Sequence, residues 1–240
     1  MRRAMAEPLH ILVTGTSRGI GAAIAAALAG QKVVGHSREG GDGRIAADLA
    51  REGVAAGLWS SALERLGGRI DVLVNNAGLF EAAPIGLDGD EWLDRWDRTM
   101  RINLRAAAEL CRLAVRHFGE RKAGGRIVNV ASRAAYRGDS PDHWHYAASK
   151  AGMVAMTKTI ARAYAAEGIC AFAVCPGFTV TGMVEDYIES RGGGAFLADI
   201  PLGRPATTEE VAETVRWLAL DAPASATGAV VDVNGASYVR

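Results

Sequence analysis

Residues 9–21 read LHILVTGTSRGIG, and the Ala-rich run AAIAAALAG follows directly at 22–30. The first part is a short, continuous apolar run closed by a Thr–Gly pair. Such a run marks a strand covered on both faces, the kind found in parallel sheets. The residues after it are helix formers, so the stretch reads strand, tight turn, helix. Gly15, Gly19 and Gly21 would let the turn tighten, admit a phosphate to the backbone and bring the helix down onto the sheet. The helix start then offers free N–H groups and a partial positive charge to a pyrophosphate. The loop 14–21 is therefore predicted to bind a nucleotide.

The same alternation runs through the chain. Strand candidates lie at 9–15, 32–37, 44–48, 70–78, 125–132, 170–177 and 230–235, and helix candidates near 19–29, 51–66, 91–118, 146–167 and 208–220. Thr207 or Thr208 is placed to cap the last helix, with Glu209 and Glu210 in its first turn. Strands alternating with helices imply right-handed crossovers and a parallel sheet. The expected fold class is α/β, a doubly wound parallel sheet of about seven strands with helices on both faces, in a single domain over 1–240. Residues 1–7 are expected to be disordered, and ESRGGGAF at 189–196 to be a mobile surface segment. Ligands of open sheets bind at the carboxyl ends of the strands. Gly15, Asp48, Asn76, Ser132 and Pro176–Gly177 all fall at such ends.

Composition narrows the function classes. Lys plus Arg and Asp plus Glu both number 27, so the formal net charge is zero. A nucleic-acid binder usually carries a basic face, and no such partner is expected. No apolar stretch is long enough for a membrane span, and no secretion signal precedes the first strand, so a cytoplasmic location is expected. Cys111, Cys170 and Cys175 are odd in number and widely spread, which is not a disulfide framework. Cys170 and Cys175 lie five apart in one strand and should face opposite sides, against a shared metal. No metal is expected.

The segment HWHYAASK at 143–150 sets Tyr146 four residues ahead of Lys150. On a helix both lie on one face, where an ammonium favours the phenolate and lowers a tyrosine pKa from its ordinary value near 10. A solvent-facing i, i+4 pair is the plain alternative. The wider pattern decides between them. T-G-x-x-x-G-x-G at 14–21, NNAG at 75–78, a strand-ending Ser132, Y-x-x-x-K, and PG followed by T-x-T at 176–181 occur in that order. Together they resemble the short-chain dehydrogenase/reductase family, over nearly the whole chain. The tail from IPLGRPATTEEVAETVRWLA to VDVNG resembles the 3-oxoacyl-carrier-protein reductases within it.

This resemblance implies a Rossmann-type fold and a catalytic set of Asn103, Ser132, Tyr146 and Lys150. Tyr146 would donate the proton, Ser132 would hydrogen-bond the substrate oxygen, and Lys150 would tune the phenol and hold the nicotinamide ribose. Asn103 would anchor a water in a relay to the lysine. Ser140 also precedes Tyr146, but Asp139–Ser140–Pro141 reads as a turn. Cofactor contacts are implied for Gly15, Ser17, Arg18, Gly19, Ile20 and Gly21 of the glycine loop, and for Asp48 beside adenine. Asn76, Ala77 and Gly78 would lie along the ribose, and Pro176, Gly177, Thr179 and Thr181 near the nicotinamide. His143 and His145 would line the mouth or simply fill a loop, with Trp144 as a wall.

After the second strand comes Arg38, with no acid at positions 37 or 38. NAD sites usually carry Asp or Glu there and NADP sites Arg, so NADP(H) is favoured over NAD(H), with Arg18 assisting. Glu39 is the residue that would oppose this reading. The expected function is hydride transfer between NADP(H) and a small-molecule carbonyl or secondary alcohol, including 3-oxoacyl thioester reduction. A sugar or polyol dehydrogenase, or a catalytically silent nucleotide-binding regulator, stands as the alternative. Residues 182–205 should fold over the substrate. The small residues Ala147, Ala148, Ala151, Gly152 and Ala155 allow close helix approach. In this family that helix commonly packs into homodimers and homotetramers.

Overall fold

The computed structural model describes residues 7–180 and 199–240. The elements are β1 (His10–Thr14), α1 (Gly19–Ala27), β2 (Lys32–Ser37), β3 (Ile45–Ala46), α2 (Val54–Arg65) and β4 (Val72–Asn75). They continue with α3 (Gly89–Met100), α4 (Ala106–Arg121), β5 (Gly125–Val130), α5 (Ala134–Arg137), α6 (Trp144–Tyr164), β6 (Ile169–Pro176), α7 (Thr208–Leu220) and β7 (Val230–Val233). The seven strands form one sheet in the order β3-β2-β1-β4-β5-β6-β7, and every pairing between them is parallel. The winding reverses between β1 and β4, which opens the ligand crevice there.

Burial explains the continuous apolar strands. Alternate residues point to opposite faces. Ile11 and Val13 of β1 pack with Ile24 of α1, with Leu28 just after it, and with Val211, Val215 and Leu218 of α7. Leu12 packs on the other face with Leu58, Trp59, Leu110 and Phe118. On β6, Cys170 joins the first layer while Cys175 lies with Met153 on the opposite side. Thr207 caps α7 in a reciprocal box. Its hydroxyl accepts the Glu210 N–H at 3.2 Å, and the Glu210 carboxylate accepts the Thr207 N–H at 2.8 Å.

Three departures from the sequence reading bear on the site. The strand expected over 70–78 ends at Asn75, because the N–H groups of Asn76 and Ala77 both turn to the Thr14 hydroxyl at 3.0 Å. The helix expected over 91–118 is α3 and α4 joined through a π turn at Arg101–Arg105. That turn bulges the ladder at Asn103, and such bulges favour functional positions. The short helix α5 follows Ser132 where no element was expected. Residues 1–6 and 189–196 lie outside the described residues, whereas Glu7 is placed, 3.6 Å from Arg69.

Candidate active site

The glycine loop is clamped from both sides. Asn76 Nδ2 donates to the carbonyls of Thr14 and Gly15, both at 3.0 Å, and so locks β4 to the end of β1. Gly15 has φ +73°, and a Cβ there would stand 2.8 Å from Ala77 Cα. A Cβ on Gly21 would stand 1.9 Å from the Gly15 carbonyl oxygen. No other residue type fits either place. Helix α1 starts without a side-chain cap and with no acid in its first turn. Its first N–H groups, with exposed Ser17 and Arg18 and partly covered Gly19 and Ile20, remain for an anion. A cradle that a Cβ would fill, at an uncapped helix start, fits a pyrophosphate.

Asp48 sits just beyond β3, half-buried, with its carboxylate taking the Ala50 N–H at 3.0 Å. Arg38 is exposed and paired with Glu39 at 3.0 Å. The sequence left Glu39 as the residue opposing a phosphate contact, and here it already occupies the guanidinium. An exposed pair of this kind is worth only about 0–1 kcal/mol, so it is readily exchanged for a stronger anion.

Helix α6 carries Tyr146 and Lys150. The Ser132 hydroxyl is near enough to Tyr146 to favour its phenolate, and its oxygen accepts the Ala134 N–H at 3.1 Å. The Ser140 hydroxyl instead meets His143 Nδ1 at 2.7 Å. Ser132 is therefore the serine that joins Tyr146. Lys150 is buried, with its Nζ donating to the Val130 carbonyl at 2.9 Å and lying 5.8 Å from the centre of the Tyr146 ring.

Burial dominates the acidity of both groups. It pushes the Tyr146 phenol up to about 12, with the Ser132 hydroxyl opposing it and the Asp139 charge adding to it. It pulls the Lys150 ammonium down to about 8. This corrects the sequence expectation that Lys150 lowers the phenol. Its ammonium is turned to Val130, and removing a phenolate from water outweighs a cation at that distance.

Asn103 is fully buried in the π turn and pins the segment after NNAG. Its Oδ1 accepts the Leu79 N–H at 2.7 Å and its Nδ2 donates to the Leu79 carbonyl at 2.9 Å. The same Nδ2 lies 3.3 Å from the Ser149 hydroxyl, which donates to the Tyr146 carbonyl at 2.7 Å. A Cβ on Gly78 would be 3.5 Å from both Asn103 Oδ1 and Lys150 Nζ, so the two groups converge over that glycine.

On the far rim, a Cβ on Gly177 would stand 2.8 Å from Asn234 Cα, while buried Thr179 bridges in parallel to Ala206. Pro176 ends β6 beside them. Thr181 and most of 182–205 lie outside the described residues.

Phe80 was missed by the sequence reading. Its ring meets Tyr146 edge to face at 4.8 Å and stacks on His143 at 3.9 Å. A large apolar residue two places after NNAG was the only signal in the sequence. His145 is buried beside Trp96, and burial lowers its pKa, so it holds a second proton less readily than a free imidazole. Trp144 is 54% exposed, edge-on to Trp92.

Residues 15–236 match the family profile described as enoyl-(acyl carrier protein) reductase. The chain is 38% identical over 244 residues to 3-oxoacyl-(acyl-carrier-protein) reductase of Synechocystis sp., covering 93% of this chain and 94% of that protein. It belongs to the short-chain dehydrogenase/reductase family. The Escherichia coli 3-oxoacyl-(acyl-carrier-protein) reductase is 35% identical over 241 residues, with 95% and 96% of the two chains covered. Among solved structures, the 3-ketoacyl-(acyl-carrier-protein) reductase of Brucella melitensis complexed with NADH superposes with a TM-score of 0.84 at 29% identity, over 97% of this chain and 99% of that one. This short-chain dehydrogenase/reductase is thus an NAD(P)-dependent oxidoreductase acting on carbonyl or CH–OH groups.

Proposed function

We propose that the chain reduces 3-oxoacyl thioesters with NADPH, with Tyr146 as proton donor. The observation that carries this is Ser132 beside Tyr146 on the carboxyl rim of the sheet, with Lys150 buried 5.8 Å from the Tyr146 ring. A bound nicotinamide dinucleotide supplies the hydride. Gly15–Gly21, Asp48, Asn76–Gly78, Pro176–Gly177, Thr179 and Thr181 would hold it. The substrate carbonyl oxygen would sit between the hydroxyls of Ser132 and Tyr146. A phenol held near 12 is protonated throughout the neutral range, the form that can give a proton to a developing alkoxide. Lys150, with its ammonium near 8, releases a proton more readily than an ordinary lysine and can return one to the phenolate. Asn103 fixes the floor between Lys150 and Gly78, where a relay water would enter.

The thioester assignment is supported by the relatives' names and by the ring of Phe80 against Tyr146, which offers an apolar wall to an acyl chain. The NADP(H) preference rests on Arg38 and Arg18, and a homotetrameric, cytoplasmic enzyme completes the proposal. The exposed small residues Ala148, Ala151 and Ala155 on one face of α6 support the assembly. The test is a panel of 3-oxoacyl thioesters, sugars, polyols and simple ketones, followed by absorbance of the reduced cofactor. The thioesters should give the highest kcat/KM. A higher value for a sugar or polyol would replace this reading with a polyol dehydrogenase.

A further inference from the structure

His36 is the fifth residue of β2 and is 2% exposed. Its ring is bonded on both edges. Nδ1 lies 3.3 Å from the Gly15 backbone nitrogen, and Nε2 lies 2.8 Å from the Ala47 carbonyl oxygen. A backbone amide can only donate and a carbonyl can only accept, so the tautomer follows. The proton is on Nε2 and the lone pair on Nδ1. The main chain of the same residue holds the next position of the loop, its carbonyl accepting the Thr16 N–H at 2.9 Å and the Thr16 hydroxyl at 3.3 Å.

We infer that His36 is a positioning residue for the adenosine half of the cofactor site, its neutral ring tying the glycine loop to the end of β3. The inference rests on reading Gly15–Gly21 as the pyrophosphate loop. Gly15 opens that loop, and Asp48 follows Ala47 directly, so one imidazole spans the distance between them. A second proton would sit on Nδ1 and face the Gly15 N–H, donor against donor. Gly15 has little room to yield, because it is packed against Ala77. Protonation therefore pushes apart the two walls between which the adenosine lies.

The charged side chains on the surrounding segments are Arg18 in the loop, Arg38 and Glu39 beyond β2, Asp42 paired with Arg44 before β3, and Asp48 after it. Burial lowers the pKa of the ring, opposed only by the Ala47 hydrogen bond. The ring is neutral at pH 7, and the tie opens only in acid. The other histidines are elsewhere. His10 bonds the Leu66 and Arg69 carbonyls, His117 takes the Ile70 N–H, and His143 and His145 begin α6.

The test measures the Kd of NADP+ for the full chain by calorimetry between pH 7.5 and 5, in wild type, His36→Asn and His36→Leu. An Asn oxygen can stand near the Nδ1 position and accept the Gly15 N–H but does not titrate. The 2′-phosphate titrates near pH 6 in every case, so its contribution cancels in the ratio of variants. The ratio of the wild-type Kd to that of His36→Asn should rise as the pH falls from 7.5 to 5. His36→Leu, which leaves the Gly15 N–H without a partner, should raise Kd about tenfold at pH 7.5, with kcat at saturating cofactor unchanged. If the variants do not fold, an NMR titration of wild-type His36 decides instead. Bound NADP+ must lower its pKa, by the reciprocity of linked equilibria.

Equal pH slopes in wild type and His36→Asn, or a His36 pKa unmoved by cofactor, would overturn the inference while leaving the glycine-loop reading intact. No NADP+ binding by wild type at any pH would overturn both.

Discussion

Replacing Lys150 by methionine should make the cofactor-free protein more stable at neutral pH while destroying its activity. The ammonium is buried, and its pKa falls from the ordinary 10.5 to about 8. At about 1.4 kcal/mol per tenfold change in acidity, the charged form carries a penalty of about 3 kcal/mol. Below pH 8 the lysine is protonated in both the folded and the unfolded chain, and the penalty is fully present. Between about 8 and 10.5 the folded chain holds fewer protons, so wild-type stability rises with pH across that window. Above 10.5 both forms are neutral and the penalty is gone. Methionine removes the charge but leaves the Val130 carbonyl without its 2.9 Å donor, which costs about 1 kcal/mol. The net gain at pH 7 is about 2 kcal/mol, or about 4–8 °C in Tm for a chain of this size. Thermal unfolding of both cofactor-free proteins at pH 7 and pH 10 measures it. A methionine variant that is less stable at pH 7, or whose advantage is the same at both pH values, would refute the burial argument.

Other expectations follow from the same geometry. Arg38→Asp should reverse cofactor choice: wild type is expected to prefer NADPH over NADH by about ten- to a hundredfold in kcat/KM, the worth of charge-assisted bonds to the 2′-phosphate. A wild type that prefers NADH would show that the Arg38–Glu39 pair holds against the phosphate. Gly21→Ala should abolish cofactor binding in calorimetry, since its Cβ would fall 1.9 Å from the Gly15 oxygen; a normal Kd would mean the loop is not the pyrophosphate cradle. In the cofactor-free protein, the phenolate absorbance difference between wild type and Tyr146→Phe should stay absent up to pH 10. A transition between pH 7 and 9 would mean that Lys150, not burial, sets the phenol.

The sheet and its rim were legible because buried parallel strands have a plain signature. Ile11–Val13 and Val72–Val74 alternate between two packed layers, so neither face can carry a polar residue. The T-G-x-x-x-G-x-G glycines were legible for a related reason: two of them stand where any Cβ collides with backbone. What escaped the sequence depends on distance rather than order. Asn103 is legible as an unusual polar residue, but the π turn that aims it at Leu79 leaves no periodic mark in RINLR. Tyr146 and Lys150 four apart suggested a cation acting on a phenol. Only the fold shows Nζ turned toward Val130, and with it the reversed sign of the shift. Phe80 and His36 act through partners far along the chain, Tyr146 and Ala47, and no local pattern announces either contact.

Tyr146 is proposed to give the proton in an NADPH-dependent carbonyl reduction. The most direct measurement of this is the rate of NADPH oxidation with an acetoacetyl thioester, for wild type and Tyr146→Phe, alongside the Kd of NADP+ for each. Removing only the hydroxyl should lower kcat by at least about a hundredfold, the scale of general acid catalysis, and leave the Kd within about threefold. A Tyr146→Phe enzyme that keeps wild-type turnover would contradict the account, because the proton would then come from another group.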